Sequence, residues 1–229
     1  MRNNWTFRFR QNRPLNGTPI TLEEAERHFL GKLNHPNEDQ QAARRELVQI
    51  YRTMCRPSDA MYHAQEYLAH TTDLEERAEM FFFLGQVSER MNDFESAVRF
   101  YKIALELEPR SDLYAYFIRN NLGFSLNQLD RYVDAEKYLR EAIDIDPARA
   151  NGHKNFGLSL EGQGRHAEAA QSFIAAVQAN ASDSRALRHL EELVERHPEI
   201  LAELSDLNYH LNMCRQAVAF AGNSRIQKN

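Results

Sequence analysis

Two asparagines, Asn121 and Asn155, stand 34 residues apart. A side-chain amide offers both a donor and an acceptor, the groups that an extended peptide backbone presents in alternation. His63 and His70 are seven apart, which puts both on one helix face and would make half of a metal site. No third ligand follows nearby, so the pair predicts packed or exposed imidazoles, and no metal is expected. Asp144 and Asp146 precede Pro147 at a predicted helix end and read as solvated carboxylates. Neither a phosphate loop, a GxGxxG stretch nor an HExxH pair occurs. The chain is therefore expected to be no enzyme, with no catalytic residue and no cofactor.

The elements that carry these residues recur. Gly85, Gly123 and Gly157 are separated by 38 and 34 residues, and each is followed 12 residues later by an alanine (Ala97, Ala135, Ala169). A second alanine comes seven further on (Ala104, Ala142, Ala176). Seven residues are two helical turns, so each alanine pair shares a face where a neighbouring helix can come close. Each glycine does the same for the preceding helix, at a propensity cost near 1 kcal/mol relative to Ala. Fixed-period self-similarity of this kind predicts a stacked array.

The pattern resembles the tetratricopeptide repeat, a 34-residue helix–turn–helix unit, over roughly Thr71 to Ser182. The resemblance implies an all-α, right-handed superhelical solenoid of antiparallel helix pairs whose first helices line a concave groove. Arg119 and His153 depart from it, standing where Phe81 supplies the large apolar residue in the first copy. Ala181 replaces the closing proline. Four extra residues near Arg110–Leu113 amount to one helical turn, and a longer first helix in the second repeat should absorb them.

Composition is that of an ordinary soluble chain, 42% hydrophobic and 27% charged. No apolar run reaches the ~18 residues of a membrane span, and the start lacks an apolar signal core. Cys55 and Cys214 sit in no metal or redox motif and predict reduced thiols, hence a cytoplasmic location. Residues 71–182 hold 12 Lys or Arg against 18 Asp or Glu. That acidic balance argues against nucleic acid as a ligand.

In chain order, residues 1–20 predict an extended or disordered basic-aromatic arm: Trp5, Phe7 and Phe9 alternate with polar residues, and Arg2, Arg8, Arg10 and Arg13 meet no acid. Residues 21–70 predict N-terminal helices. These are one capped by a Thr21/Glu24 box, one from Glu38 to Arg56 with Leu47, Ile50, Tyr51 and Met54 on a stripe, and one from Pro57 to His70. Tyr51 lies 34 before Gly85, so the last two fit a degenerate repeat. Thr72 and Glu75 predict the box that opens the three repeats of 71–182. Residues 183–229 predict capping helices: one to Arg196, then a long one from Pro198 carrying Leu204, Leu207, Leu211, Cys214 and Val218, with a loose tail beyond Gly222.

With Leu84, Leu122 and Phe156 as core, helical spacing turns an adjacent face toward the groove. That face carries Phe82, Gln86 and Glu89, then Phe117, Asn120, Asn121, Phe124 and Asn127, then Asn151, Lys154, Asn155, Leu158 and Glu161, with Arg188 continuing the series. The resemblance implies that Asn121 and Asn155 hold a peptide and that Phe82, Phe117 and Phe124 contact its side chains. A family subset captures acidic chaperone tails with a two-carboxylate clamp. Asn121 fits it, but Phe82, Gln86, Asn151 and Asn155 stand where the other clamp residues, including its cations, would be. The expected function is a non-catalytic adaptor or scaffold binding a protein or peptide partner in the groove. The alternatives are a homo-oligomer assembled through the arm and a cytosolic secretion chaperone.

Overall fold

The computed structural model describes residues 21–226, and the arm expected over residues 1–20 lies outside that range. Every regular element among the described residues is a helix, and none of these helices is long and apolar enough to cross a membrane. Two compact units meet in sequence at His70 and Thr71.

The first unit holds α1 (Leu22–Leu33), α2 (Gln40–Thr53) and α3 (Pro57–His70). Thr21 and Glu24 close the reciprocal box at the start of α1, with the Glu24 N–H donating to Thr21 Oγ1 (3.2 Å) and the Thr21 N–H to Glu24 Oε2 (2.8 Å). α2 begins two residues later than Glu38, because Asp39 caps it by accepting from the Ala42 N–H (2.9 Å). The expected stripe of α2 is inside: Leu47, Ile50 and Tyr51 are buried. Tyr51 stands where the repeats have glycine, and His63, 12 residues on, stands where they have alanine. The two rings stack (5.5 Å between centroids, 13° apart), so this pair fills with aromatic surface the place where the repeats bring backbones together. His70 is exposed and hydrogen-bonds the Glu66 carbonyl (2.9 Å). It plays no part with His63.

The second unit contains three helix pairs: α4 (Leu74–Arg90) with α5 (Phe94–Glu106), α6 (Asp112–Gln128) with α7 (Tyr132–Ile145), and α8 (Ala150–Gly162) with α9 (His166–Ala179). α4 starts one residue later than the Thr72/Glu75 reading, since Asp73 is the cap and accepts from the Glu76 N–H (2.9 Å). The four extra residues lengthen α6 to 17 residues against 13 in α8. Each repeat glycine faces a ring or branched chain of its partner helix. A Cβ on Gly85, Gly123 or Gly157 would sit 2.4, 2.4 or 2.6 Å from Tyr101, Leu139 or Phe173, closer than any real contact. Seven residues after each of these glycines the turn bends through the left-handed region, at Asn92, Asp130 and Gly164 (φ 58°, 56° and 74°). These three residue types tolerate that conformation best.

Consecutive first helices touch, α4 with α6 and α6 with α8, whereas successive second helices share no comparable contact. The first helices therefore lie on the inner side of the array. Beyond them come α10 (Arg185–Arg196), α11 (Ile200–Glu203) and α12 (Leu207–Ile226). The single helix expected from Pro198 is broken, because Leu204 is extended (φ −114°, ψ 92°). The break lets Ile200 and Leu207 both enter the core that Leu211 and Cys214 share with Phe173, Ile174 and Val177 of α9 and with Leu190 and Leu193 of α10. Leu204 and Val218 pack at its margin. α12 also runs through Gly222, where a loose tail was expected.

Candidate functional site

The asparagines of the inner helices form a ladder between repeats. Asn155 Nδ2 on α8 donates to Asn120 Oδ1 on α6 (3.0 Å), Asn120 Nδ2 to Asn121 Oδ1 (3.0 Å), and Asn121 Nδ2 to the Tyr101 hydroxyl on α5 (3.4 Å). The Tyr101 and Ser125 hydroxyls then both bond the Glu89 carboxyl on α4, Ser125 at 2.9 Å. Asn127 Nδ2 adds a bond to the Asn155 carbonyl (2.9 Å). Burial pushes the Glu89 carboxyl up to about 7, against the pull of those two hydroxyls. Three amide oxygens on successive inner helices, Gln86 Oε1, Asn127 Oδ1 and Asn155 Oδ1, are buried without a hydrogen-bond partner. Each such orphan costs about 1–3 kcal/mol.

This arrangement changes the expected contact set. Phe82, Asn120 and Asn155 are 5%, 6% and 4% exposed; they bind helix to helix and present no surface. Asn121 is half-buried, and its amide is engaged on both sides. The three phenylalanines do not make one apolar surface. Phe82 and Phe117 pack together (6.4 Å), with the Arg149 guanidinium over Phe117 (4.9 Å), while Phe124 pairs with Phe94 (6.1 Å). Phe117 and Phe124 are two helical turns apart, roughly 10 Å along the axis. Gln86, Phe117, Phe124, Asn151, Lys154 and Leu158 remain part-exposed, and Arg188 is exposed.

A cationic end completes the face. Lys154 on α8 is half-buried and pairs with no acid among the described residues. Its ammonium falls from the ordinary 10.5 to about 8, chiefly through burial and then through the nearby Arg185, with Asp183 opposing. Arg185 is held elsewhere, its Nε donating to Asp183 (2.9 Å) and its Nη2 to Asn151 Oδ1 (3.4 Å). Burial and the Lys154 charge also push the His189 imidazole down. The sequence puts Lys154 on this face, but gives no signal that Asp183 bonds its neighbour Arg185 and not Lys154.

On the opposite side, the small His153 turns back to the Pro147 carbonyl (2.8 Å). A cleft of about 480 Å³ opens there between α7 and α9, lined by Arg140, Ile143, Phe156 and Gln171 among others. The Arg140 guanidinium lies over the Phe156 ring (4.7 Å). At the equivalent place in the first repeat Phe81 stacks on Phe100 (6.3 Å), and in the second Arg119 pairs with Glu141 (2.9 Å).

Comparison with known proteins agrees with this geometry. A family model described as a tetratricopeptide repeat matches residues 78–111 and 118–149. Tetratricopeptide repeat protein 7B of Homo sapiens is 32% identical over 98 residues, which are 43% of this chain and 11% of that protein. Tetratricopeptide repeat protein 6 of Homo sapiens is 33% identical over 88 residues, 38% of this chain and 17% of that one. The chain thus spans about a tenth to a sixth of the length of these curated relatives. Among solved structures, MamA from Desulfovibrio magneticus RS-1, from position 41 to its end, superposes with a TM-score of 0.64 at 18% identity, over 78% of this chain and 95% of that one. A MamA RS-1 ArsTM double mutant gives 0.64 at 19%, over 82% and 97%. At such identity the likeness is one of fold.

Proposed function

We propose, from the premise that the chain belongs to the tetratricopeptide-repeat family, that it is a non-catalytic scaffold which captures an acidic, extended peptide segment of a protein partner along its inner helices. Repeats of this family and the shared fold support an interaction role in general. The finer reading is carried by Lys154, a half-buried cation in no ion pair among the described residues, the nearby Asp183 being bonded to Arg185. Holding a charge in such a place is unfavourable unless an anion arrives to pair with it. A peptide carboxylate meets that need, and Asn151, one turn earlier on α8, offers a further donor, with the exposed Arg188 next in the series. The residues still open on α4, α6 and α8, Gln86, Phe117, Phe124 and Leu158, give the remainder of the segment polar and apolar contact. Such a site differs from the two-carboxylate clamp, whose cations are missing from this sequence and whose acidic chaperone-tail ligand is therefore disfavoured. A cytoplasmic location belongs to the same reading; Cys55 and Cys214 are not joined by a disulfide.

The test is an array of immobilised acidic peptides, each paired with its Glu→Gln and Asp→Asn counterpart, probed with the intact protein. Acidic members should bind and their amide twins should not. Binding should fall roughly tenfold or more in Lys154→Met, and by less in Arg188→Ala. Capture that ignores peptide charge, or that survives Lys154→Met unchanged, would overturn the reading.

A further inference from the structure

His166 opens α9, His197 closes α10 and Glu199 precedes α11, so three chain segments that the sequence keeps 31 and 2 residues apart converge at one place. One ligand atom from each lies within 4.8 Å of the others. The two imidazoles are stacked, with centroids 3.5 Å apart and planes 27° from parallel. His197 Nδ1 and Glu199 Oε1 are separated by 3.1 Å. In a tetrahedral site with metal–ligand distances near 2.0–2.1 Å, neighbouring ligand atoms sit about 3.3 Å apart. The His197–Glu199 pair already has that spacing, and the His166 ligand atom lies within 4.8 Å of both. Both histidines are half-buried and Glu199 is exposed, so side-chain rotation can close the remaining gap without disturbing a core.

We propose that His166, His197 and Glu199 form a binding site for a divalent transition-metal ion, Zn²⁺ by preference, with one coordination position left to water. Two imidazoles and one carboxylate suit zinc and its neighbours and do not suit calcium or magnesium, which take oxygen ligands. The motif-spaced histidines of the sequence, His63 and His70, are apart in function; the ligands come from positions that only the folding of α9 against α10 brings together. An ion here would tie the first turn of α9 to the junction of α10 and α11. It would thus clip the C-terminal cap onto the last complete repeat.

The experiment is a calorimetric titration of the intact, chelator-treated protein with ZnCl₂, alongside His166→Gln, His197→Gln and Glu199→Gln. His210→Gln serves as a control, since His210 on α12 bonds Asp206 just before that helix (3.1 Å), outside the group. One equivalent should bind the parent and the control, with affinity at least tenfold lower in each of the three variants. Circular dichroism checks that the variants are folded. Titration of the parent with Co²⁺ should also give the visible absorption of a four-coordinate ion, a readout that needs no variant. Absence of stoichiometric binding to the parent, or equal affinity in the three variants and the control, would overturn the proposal.

Discussion

Replacing Lys154 with Met separates the stability of the inner face from its chemistry. Methionine keeps the length and the apolar stem of lysine and removes only the charge. The Lys154 ammonium is displaced from 10.5 to about 8 by burial and by Arg185, which at about 1.4 kcal/mol per pH unit corresponds to roughly 3 kcal/mol. Water that reaches a part-exposed side chain reduces this, so the expected gain at pH 7 is about 1–3 kcal/mol. The sign follows from proton binding. Between about 8 and 10.5 the unfolded lysine holds a proton that the folded one has released, so the parent loses stability as pH falls through that window. Below about 8 the penalty is complete; above 10.5 both states are neutral and it is gone. Urea unfolding followed by far-ultraviolet circular dichroism at pH 7 and pH 10.5 should show Lys154→Met more stable than the parent at the lower pH, with the difference much reduced at the higher. An equal or lower midpoint at pH 7, or a gain independent of pH, would refute the burial argument and with it the claim that this cation lacks a partner.

Gly157→Ala would drive a Cβ to 2.6 Å from the Phe173 ring, and its urea midpoint should report a loss of about 1–3 kcal/mol. Gly222→Ala, with open space around the new methyl in α12, should instead gain roughly 0.5–1 kcal/mol. Glu136 accepts from Arg140 (2.7 Å), Arg165 (2.8 Å) and Gln163 (2.8 Å). Burial alone would raise its carboxyl, but those three donors win and hold it at about 2. Glu136→Gln should therefore cost about 1–3 kcal/mol at pH 7, and thermal melts should show the cost shrinking as pH falls from 4.5 toward 2. Deleting everything after Arg196 removes Ile200, Leu207, Leu211 and Cys214 from the core around Phe173. The product should aggregate or melt lower, and a monomer with an unchanged melting point by light scattering and calorimetry would contradict the capping role.

The repeats were legible because their spacing encodes backbone approach. Gly157 and Ala169 are small for reasons that a 12-residue interval repeats three times, and the Tyr101, Leu139 and Phe173 contacts confirm the register. Helix starts were less legible where several cap-forming residues adjoin, as at Thr71, Thr72 and Asp73. There the aspartate took the cap, and the Thr71 hydroxyl was left to bond the Glu76 carboxyl (2.6 Å). The break at Leu204 had no punctuation of glycine or proline beside it; it is set by where Ile200 and Leu207 must go. The inner face was half legible. Helical spacing puts Asn155 on the groove side of α8 but could not say that it would turn to Asn120, because a residue on the boundary between core and groove has both choices. The His166–His197–Glu199 group had no signal at all, since its spacing depends on where α10 ends.

Two displaced titratable groups of the inner face point to one physical conclusion. Glu89 and Lys154 carry opposite charges, yet they stand on α4 and α8 with the amide ladder of α6 between them, and each is pushed toward its neutral form. Had the array needed only cohesion, pairing the acid with the base would have relieved both, and apolar residues of similar size would have done as well or better. Glu89 is satisfied locally by Ser125 and Tyr101, so its displacement is the ordinary consequence of closing a hydroxyl-lined gap between helices. Lys154 has no such arrangement: the repulsion of Arg185 outweighs the attraction of Asp183, whose carboxylate is engaged by Arg185. On the proposed function, a carboxylate of the partner would relieve it further. Under that proposal Lys154, more than the asparagine ladder, is where a partner would meet this face.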